Sequence, residues 1–74
     1  MANHIDRKSI IKFGENLRKL REARGLSLRE VALNCNIDNG QISIIEQGKV
    51  NITLNTLFEL AKGLNVEPKE LLDY

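Results

Sequence analysis

The chain has 74 residues, enough for one small domain near the lower size limit for folding alone, and its single cysteine, Cys35, excludes an intrachain disulfide. No Cys/His cluster has metal-ligand spacing, and no apolar run approaches the roughly 18 residues of a membrane span. The net charge of +1 conceals an asymmetry: residues 1–29 hold eight Lys/Arg against three acids (+5), and residues 30–74 hold three against seven (−4).

Apolar spacing is helical throughout, without alternating strand patterns, repeats or low-complexity segments. Residues 1–5, with the only histidine, His4, read as a flexible tail. The first helix starts at an Asp6 cap and ends before Gly25, a left-handed stop. Ile10, Phe13, Leu17 and Leu20 form one stripe, with Ile11 beside it. Gly14 inside this helix costs about 1 kcal/mol relative to alanine, which the close approach of another helix would justify.

The second helix opens on a capping box, Ser27-Leu28-Arg29-Glu30, with Leu26 placed to meet Val31 as a hydrophobic staple. Val31, Ala32 and Cys35 face inward. The helix stops near Cys35 or Asn36, and Asn36 tolerates the left-handed conformation that a tight turn needs. The third is capped by Asp38, runs to about Gln47 and stops at Gly48. The fourth is capped by Thr53 and runs from Leu54 to about Lys62, with Gly63 ending it and Leu57, Leu60, Ala61 and Leu64 on its apolar side. The fifth is short, with Pro68 at its first position and Lys69 to Leu72 following. Five short helices joined by tight loops predict a compact all-α domain over residues 1–74.

Only Asn36-Ile37-Asp38 joins the second and third helices. So short a link forces a steep crossing, the geometry of a helix-turn-helix over about residues 27–47. Ala32 supplies a small residue at the closest approach, and Ile37 plugs the core from the turn.

GLSLREVALNCNIDNGQISIIEQGK, residues 25–49, resembles the XRE/Cro-type, lambda-repressor-like helix-turn-helix domain. FGENLRKLREARGLS resembles that family's first helix and NITLNTLFELAKGLNVEPKELL its fourth and fifth, so the likeness runs from Phe13 to Leu72. The compact size is similar to restriction–modification controller proteins and small phage repressors. The resemblance implies a fold of five helices and a DNA-binding dimer. It implies a small residue at Ala32, buried apolar positions at Ile37 and Ile42, and a pairing of Glu46 with Arg21. A phosphate contact is the other use for Arg21. The ion pair is favoured, because a carboxylate near the core needs a partner and arginine offers a bidentate one.

At about 100° per residue, Ile42 and Ile45 of the third helix point to the core. The opposite face carries Gly40, Ser43 and Gln47, with Ile44 at its edge and Asn39 at the N-terminal end that enters the major groove in such proteins. Asn39 and Gln47 carry amides suited to adenine, Ser43 suits a base or a phosphate, Gly40 permits close approach, and Ile44 suits a thymine methyl. Asp38 serves better as an N-cap than as a cytosine contact. Phosphate contacts are expected from Arg18, Arg29, Lys49 and Asn51, and from the backbone at Ser27 and Leu28, since helix N-termini favour anions. Lys19 and Arg24 are expected to be solvated. Leu28, Leu33, Gly40 and Ile44 depart from the family pattern and weaken polar reading, which leaves Asn39 as the leading base reader.

One small domain reads few base pairs, so a homodimer on two half-sites is expected. Ile52, Phe58, Leu71 and Tyr74 are the candidate interface, with Ile10 and Ile11 as a second. The other reading of Phe58 is a core cover.

The functional expectation is a regulator of palindromic operator DNA that blocks or touches RNA polymerase. It needs no metal, cofactor or small-molecule ligand. With no signal-peptide core, a cytoplasmic, nucleoid-associated location follows. The alternative is a protein-interaction module of the same fold without specific DNA binding, for which Leu28, Leu33 and Ile44 speak. An enzyme is not expected, because His4 is the only histidine available to Cys35 and no carboxylate pair shares a cleft. Cys35 reads instead as a buried core thiol.

Overall fold

The computed structural model describes residues 6–74, so the expected tail with His4 lies outside the described residues. Four α-helices follow one another: α1 (Arg7–Ala23), α2 (Leu28–Leu33), α3 (Asn39–Glu46) and α4 (Leu54–Leu64). The fifth element, Pro68–Leu72, is a 3-10 helix rather than the expected α-helix. Five residues hold too few i,i+4 bonds to sustain an α-helix, and 3-10 geometry is common in such short pieces. Among the described residues there is no strand.

Local chemistry sets the helix starts. The Asp6 carboxylate accepts from Ser9 N–H at 3.2 Å, and Asp38 accepts from Gln41 N–H at 2.8 Å. Thr53 accepts from Thr56 N–H at 3.1 Å. At α2 the capping box is complete, with Glu30 N–H on Ser27 Oγ and Ser27 N–H on the Glu30 carboxylate. Each such cap stabilises by about 1 kcal/mol, which matters in helices this short. Gly25 and Gly48 take positive φ at the ends of α1 and α3.

The core is built by Phe13 and Leu17 of α1, Val31 of α2, Ile42 and Ile45 of α3, Leu57, Leu60, Ala61 and Leu64 of α4, and Leu71 of the 3-10 helix. Each fully buried branched side chain stabilises by about 1.5–3 kcal/mol. α1 packs on α3, α2 on α3 and α4, and the 3-10 helix on α1 and α4. Asn16 ties the last of these contacts: its buried Nδ2 donates to the carbonyls of Glu70 and Leu71, both at 3.0 Å.

Gly14 faces the C-terminal end of α3. A Cβ there would stand 2.5 Å from the Ile45 carbonyl oxygen and 2.7 Å from that of Glu46. The helix therefore tolerates a poor helix former because α3 comes to rest on it.

Three further expectations about the fold need correction. Gly63 does not end α4; the helix runs to Leu64, and Asn65 makes the left-handed stop at φ 58°. Gly63 is inside because a Cβ would meet Val31 Cγ1 at 2.9 Å and Cys35 Sγ at 3.1 Å. Next, α2 ends at Leu33, so residues 34–38 link α2 to α3, and Asn36 is not left-handed. The capping of α2 by Asn34 through Val31 O starts the turn early, and the longer link needs no left-handed residue. Finally, Cys35 is half-buried at this turn rather than a core thiol, with Sγ 3.4 Å from Val31 O.

Candidate nucleic-acid interface

The α2–turn–α3 unit is held from both ends. At the far end of α3, Glu46 meets Arg21 of α1 in a bidentate pair, Nε to Oε2 at 2.6 Å and Nη2 to Oε1 at 3.0 Å. Arg21 Nη1 also donates to Leu26 O at 2.8 Å, so one guanidinium joins α1, the approach to α2 and the end of α3. Both side chains are largely buried, at 13% and 7% exposed. Their mutual hydrogen bond is the chief cause that raises the Arg21 pKa above its ordinary value. At the near end, the turn's Asn36 N–H donates to the Glu59 carboxylate of α4 at 3.0 Å.

Between these ties, α3 turns two different sides outward and inward. Ile42 and Ile45 are buried, and Ile37 packs against the core from the turn. Asn39, Gly40 and Gln47 are exposed, Ser43 is half-buried, and Ile44 lies at the edge with 39% of its surface free. Gln47 Nε2 donates to Ser43 Oγ at 3.0 Å, so these two polar groups act as a pair. Gly40 has a helical backbone without positive φ, and a Cβ there would meet only Asp38 Oδ1, at 3.3 Å. That neighbour is a side chain, whereas the atoms closing on Gly14 are backbone oxygens of α3.

The expected phosphate residues surround this face with uneven freedom. Arg29 and Lys49 are exposed and make no ion pair among the described residues. Arg18 pairs with Glu22 at 3.0 Å, both well exposed. Such a pair is worth less than about 1 kcal/mol and is cheaply exchanged for a phosphate. Asn51 is exposed, and its Oδ1 accepts from Ile52 N–H at 2.9 Å, which leaves its amide donors outward. Ser27 spends its N–H and hydroxyl oxygen in the capping box. The Leu28 side chain packs against the core, and its N–H, first in the helix, has no intrahelical acceptor to meet. Leu33 stands fully outward, 78% exposed.

The candidate interface residues do not stay together. Leu71 is wholly buried beneath the 3-10 helix, where the Asn16 amide pins its carbonyl, so it cannot meet a partner. Ile52 and Tyr74 line one groove of about 290 Å³ with Ile10, Phe13, Leu54 and Leu72. Phe58 lies outside that groove and is half exposed, so it is no core cover.

Sequence reasoning missed Asn16 and Glu59. Both act across many residues, and neither carries a local signal beyond polarity within an otherwise apolar neighbourhood. Among the described residues no group of His, Cys, Asp and Glu is placed to hold a metal ion, and no helix is long and apolar enough to cross a membrane.

A family model described as helix-turn-helix matches residues 17–71. The chain is 35% identical over 63 residues to control protein C.BamHI of Bacillus amyloliquefaciens, covering 84% of this chain and 78% of that one. It is similar in structure to the restriction–modification controller protein C.AhdI from Aeromonas hydrophila, with a TM-score of 0.85 and 37% identity over 92% of this chain and 99% of that one. It is also similar to the controller protein C.Esp1396I, solved as a tetramer in complex with its natural 35 base-pair operator, with a TM-score of 0.75 and 29% identity over 86% and 95% of the two chains.

Proposed function

The chain belongs to the helix-turn-helix family, and from that premise we propose that it is a sequence-specific transcriptional regulator that binds palindromic operator DNA as a homodimer. It acts by occupying its site, without catalysis, cofactor or small-molecule ligand, as one domain of the cytoplasm and nucleoid. The observation that carries this reading is the contrast on α3. A short helix is locked at its far end by Arg21–Glu46, and the turn before it by Glu59–Asn36, yet it presents Asn39, Gly40 and the Ser43–Gln47 pair to solvent.

With the N-terminal end of α3 in the major groove, Asn39 reaches base edges first and its amide matches adenine. Gly40 lets the backbone approach, the Ser43–Gln47 pair offers a donor and an acceptor, and Ile44 meets a thymine methyl. Arg18, Arg29, Lys49 and Asn51, with the backbone N–H of Leu28, take phosphates and set the register; the Ser27 N–H is already held by Glu30. So few polar base contacts leave part of the selection to DNA shape.

The groove lined by Ile10, Ile52, Leu72 and Tyr74 supplies an apolar surface for a second copy, with Phe58 as a separate exposed aromatic. Two copies place two α3 helices about one DNA turn apart. C.Esp1396I binds its operator as a tetramer, which supports operator binding here, and the likeness to C.BamHI and C.AhdI supports a controller role. RNA polymerase is then blocked or contacted by the bound protein.

The high exposure of Leu33 favours one competing reading, a protein-interaction module. A duplex-binding titration against salt separates the two. The regulator reading expects tight binding to a genomic fragment at low salt and a steep loss of affinity as salt rises. Absence of binding to every fragment at low salt would refute it.

A further inference from the structure

We propose that Glu59 is a positioning residue for the reading helix: through the backbone of the turn, this α4 side chain sets where Asn39 stands. This rests on the DNA-reading role given to α3 above.

The turn needs such a guide. α2 spans only six residues, and its hydrogen bonding ends with Asn34 N–H on Val31 O and Cys35 N–H on Ala32 O. The bonds of α3 begin at Gln41 and Ile42, both on Asp38. Between them, the Asn36 N–H is caught by Glu59 Oε1 from 23 residues away, at 3.0 Å. The Ile37 side chain, packed on the core, is the other anchor. The thiol of Cys35 lies 3.9 Å from Ile37 O, a weak contact.

Glu59 is itself oriented. Lys62 Nζ stands 3.3 Å from its second carboxylate oxygen. Gly63 follows one turn later on the same stripe of α4, four residues on, and lets the helix close on Val31 and Cys35. Two neighbouring positions on one helix thus clamp the end of α2 and the turn: Gly63 sets the distance and Glu59 the direction. An ionised carboxylate on a backbone N–H makes a charge-assisted bond, stronger and more directional than a neutral one. That bond, with Lys62 behind it, also keeps the Glu59 carboxyl below its ordinary range.

The bond lies at the exposed rim of the fold, so water can replace it without leaving a buried orphan. Its loss therefore falls on the direction of the first turn of α3, where Asn39 and Gly40 sit, more than on the fold.

Glu59→Ala and Glu59→Gln in the full chain test this through affinity for a selected operator, affinity for an unrelated duplex, and amide hydrogen exchange at Asn36. Glu59→Ala is expected to weaken operator binding about tenfold and leave the unrelated duplex little changed. Exchange at Asn36 should quicken. Glu59→Gln keeps an acceptor oxygen and should recover most of the loss. Equal losses on both duplexes, no rescue by glutamine, or unchanged exchange at Asn36 would overturn the proposal. A native chain that selects no duplex would overturn the DNA-reading role instead, and the Asn36 exchange would still decide whether Glu59 holds the turn.

Discussion

On α3, Ile42 and Ile45 are buried to within 1%, while Asn39 and Gly40 on the same short helix stand in the open. Glycine marks both sides of the contact, with opposite meanings. Gly14 of α1, under the inner side, has no room for a methyl group because backbone oxygens close on it, and one at Gly40, on the outer side, would press only on the Asp38 side chain, at 3.3 Å. The inner side is constrained by packing and an ion pair, so changes there should register as stability. The outer side carries only exposed polar contacts such as Ser43–Gln47, so changes there should register chiefly as a change in what is bound.

The largest effect should come from the inner side. Arg21→Ala strands a nearly buried Glu46 carboxylate and frees the Leu26 carbonyl, and should cost about 3–5 kcal/mol in a urea melt. In a domain this small, that is most of the stability. Gly14→Ala sets a helix-propensity gain of about 1 kcal/mol against a clash with backbone oxygens that cannot swing aside. It should still lose about 1–3 kcal/mol. An unchanged midpoint for either would remove the distinction between the two sides. Gly40→Ala should do the reverse, holding or raising stability by up to about 1 kcal/mol while shifting the preferred duplex in a binding selection. A lower melting temperature there would mean that the outer side is structural as well.

The smallest effect is a pH dependence. The Asn36 N–H first, and Lys62 second, hold the Glu59 carboxyl below its ordinary value of 4.5. A carboxyl lowered in the folded state contributes stability above the unfolded value and loses it as pH falls through the folded one. The difference in melting temperature between the native chain and Glu59→Gln should therefore be present at neutral pH and close as the pH falls below the carboxyl's ordinary value. A difference that grew toward acid would contradict the assignment.

Much of this was legible in the sequence where the chemistry is contiguous. Asp6, Ser27, Asp38 and Thr53 each bond a backbone N–H three residues on, so their type and position suffice to mark helix starts. The inward set Ile42 and Ile45 follows from angular spacing alone. What failed to show depends on neighbours distant in the chain. A glycine near a helix end looks like a stop, and only the side chains of Val31 and Cys35 reveal Gly63 as a packing residue. Leu71 looks like part of a terminal apolar patch until the 3-10 helix folds it over the core and Asn16 fastens it there. Asn16 and Glu59 are invisible for the same reason, since their partners lie 23 to 55 residues away.

The most direct test of the outer side as a reading surface is selection from random duplex DNA, run in parallel on the native chain and Asn39→Ala, with the melting temperature of each. The native chain should recover a palindrome with half-sites about one DNA turn apart. Asn39→Ala should melt at the same temperature and lose preference at one position in each half-site. The same palindrome, equally preferred at every position by both proteins, would contradict the assignment of Asn39 and of the surface it anchors.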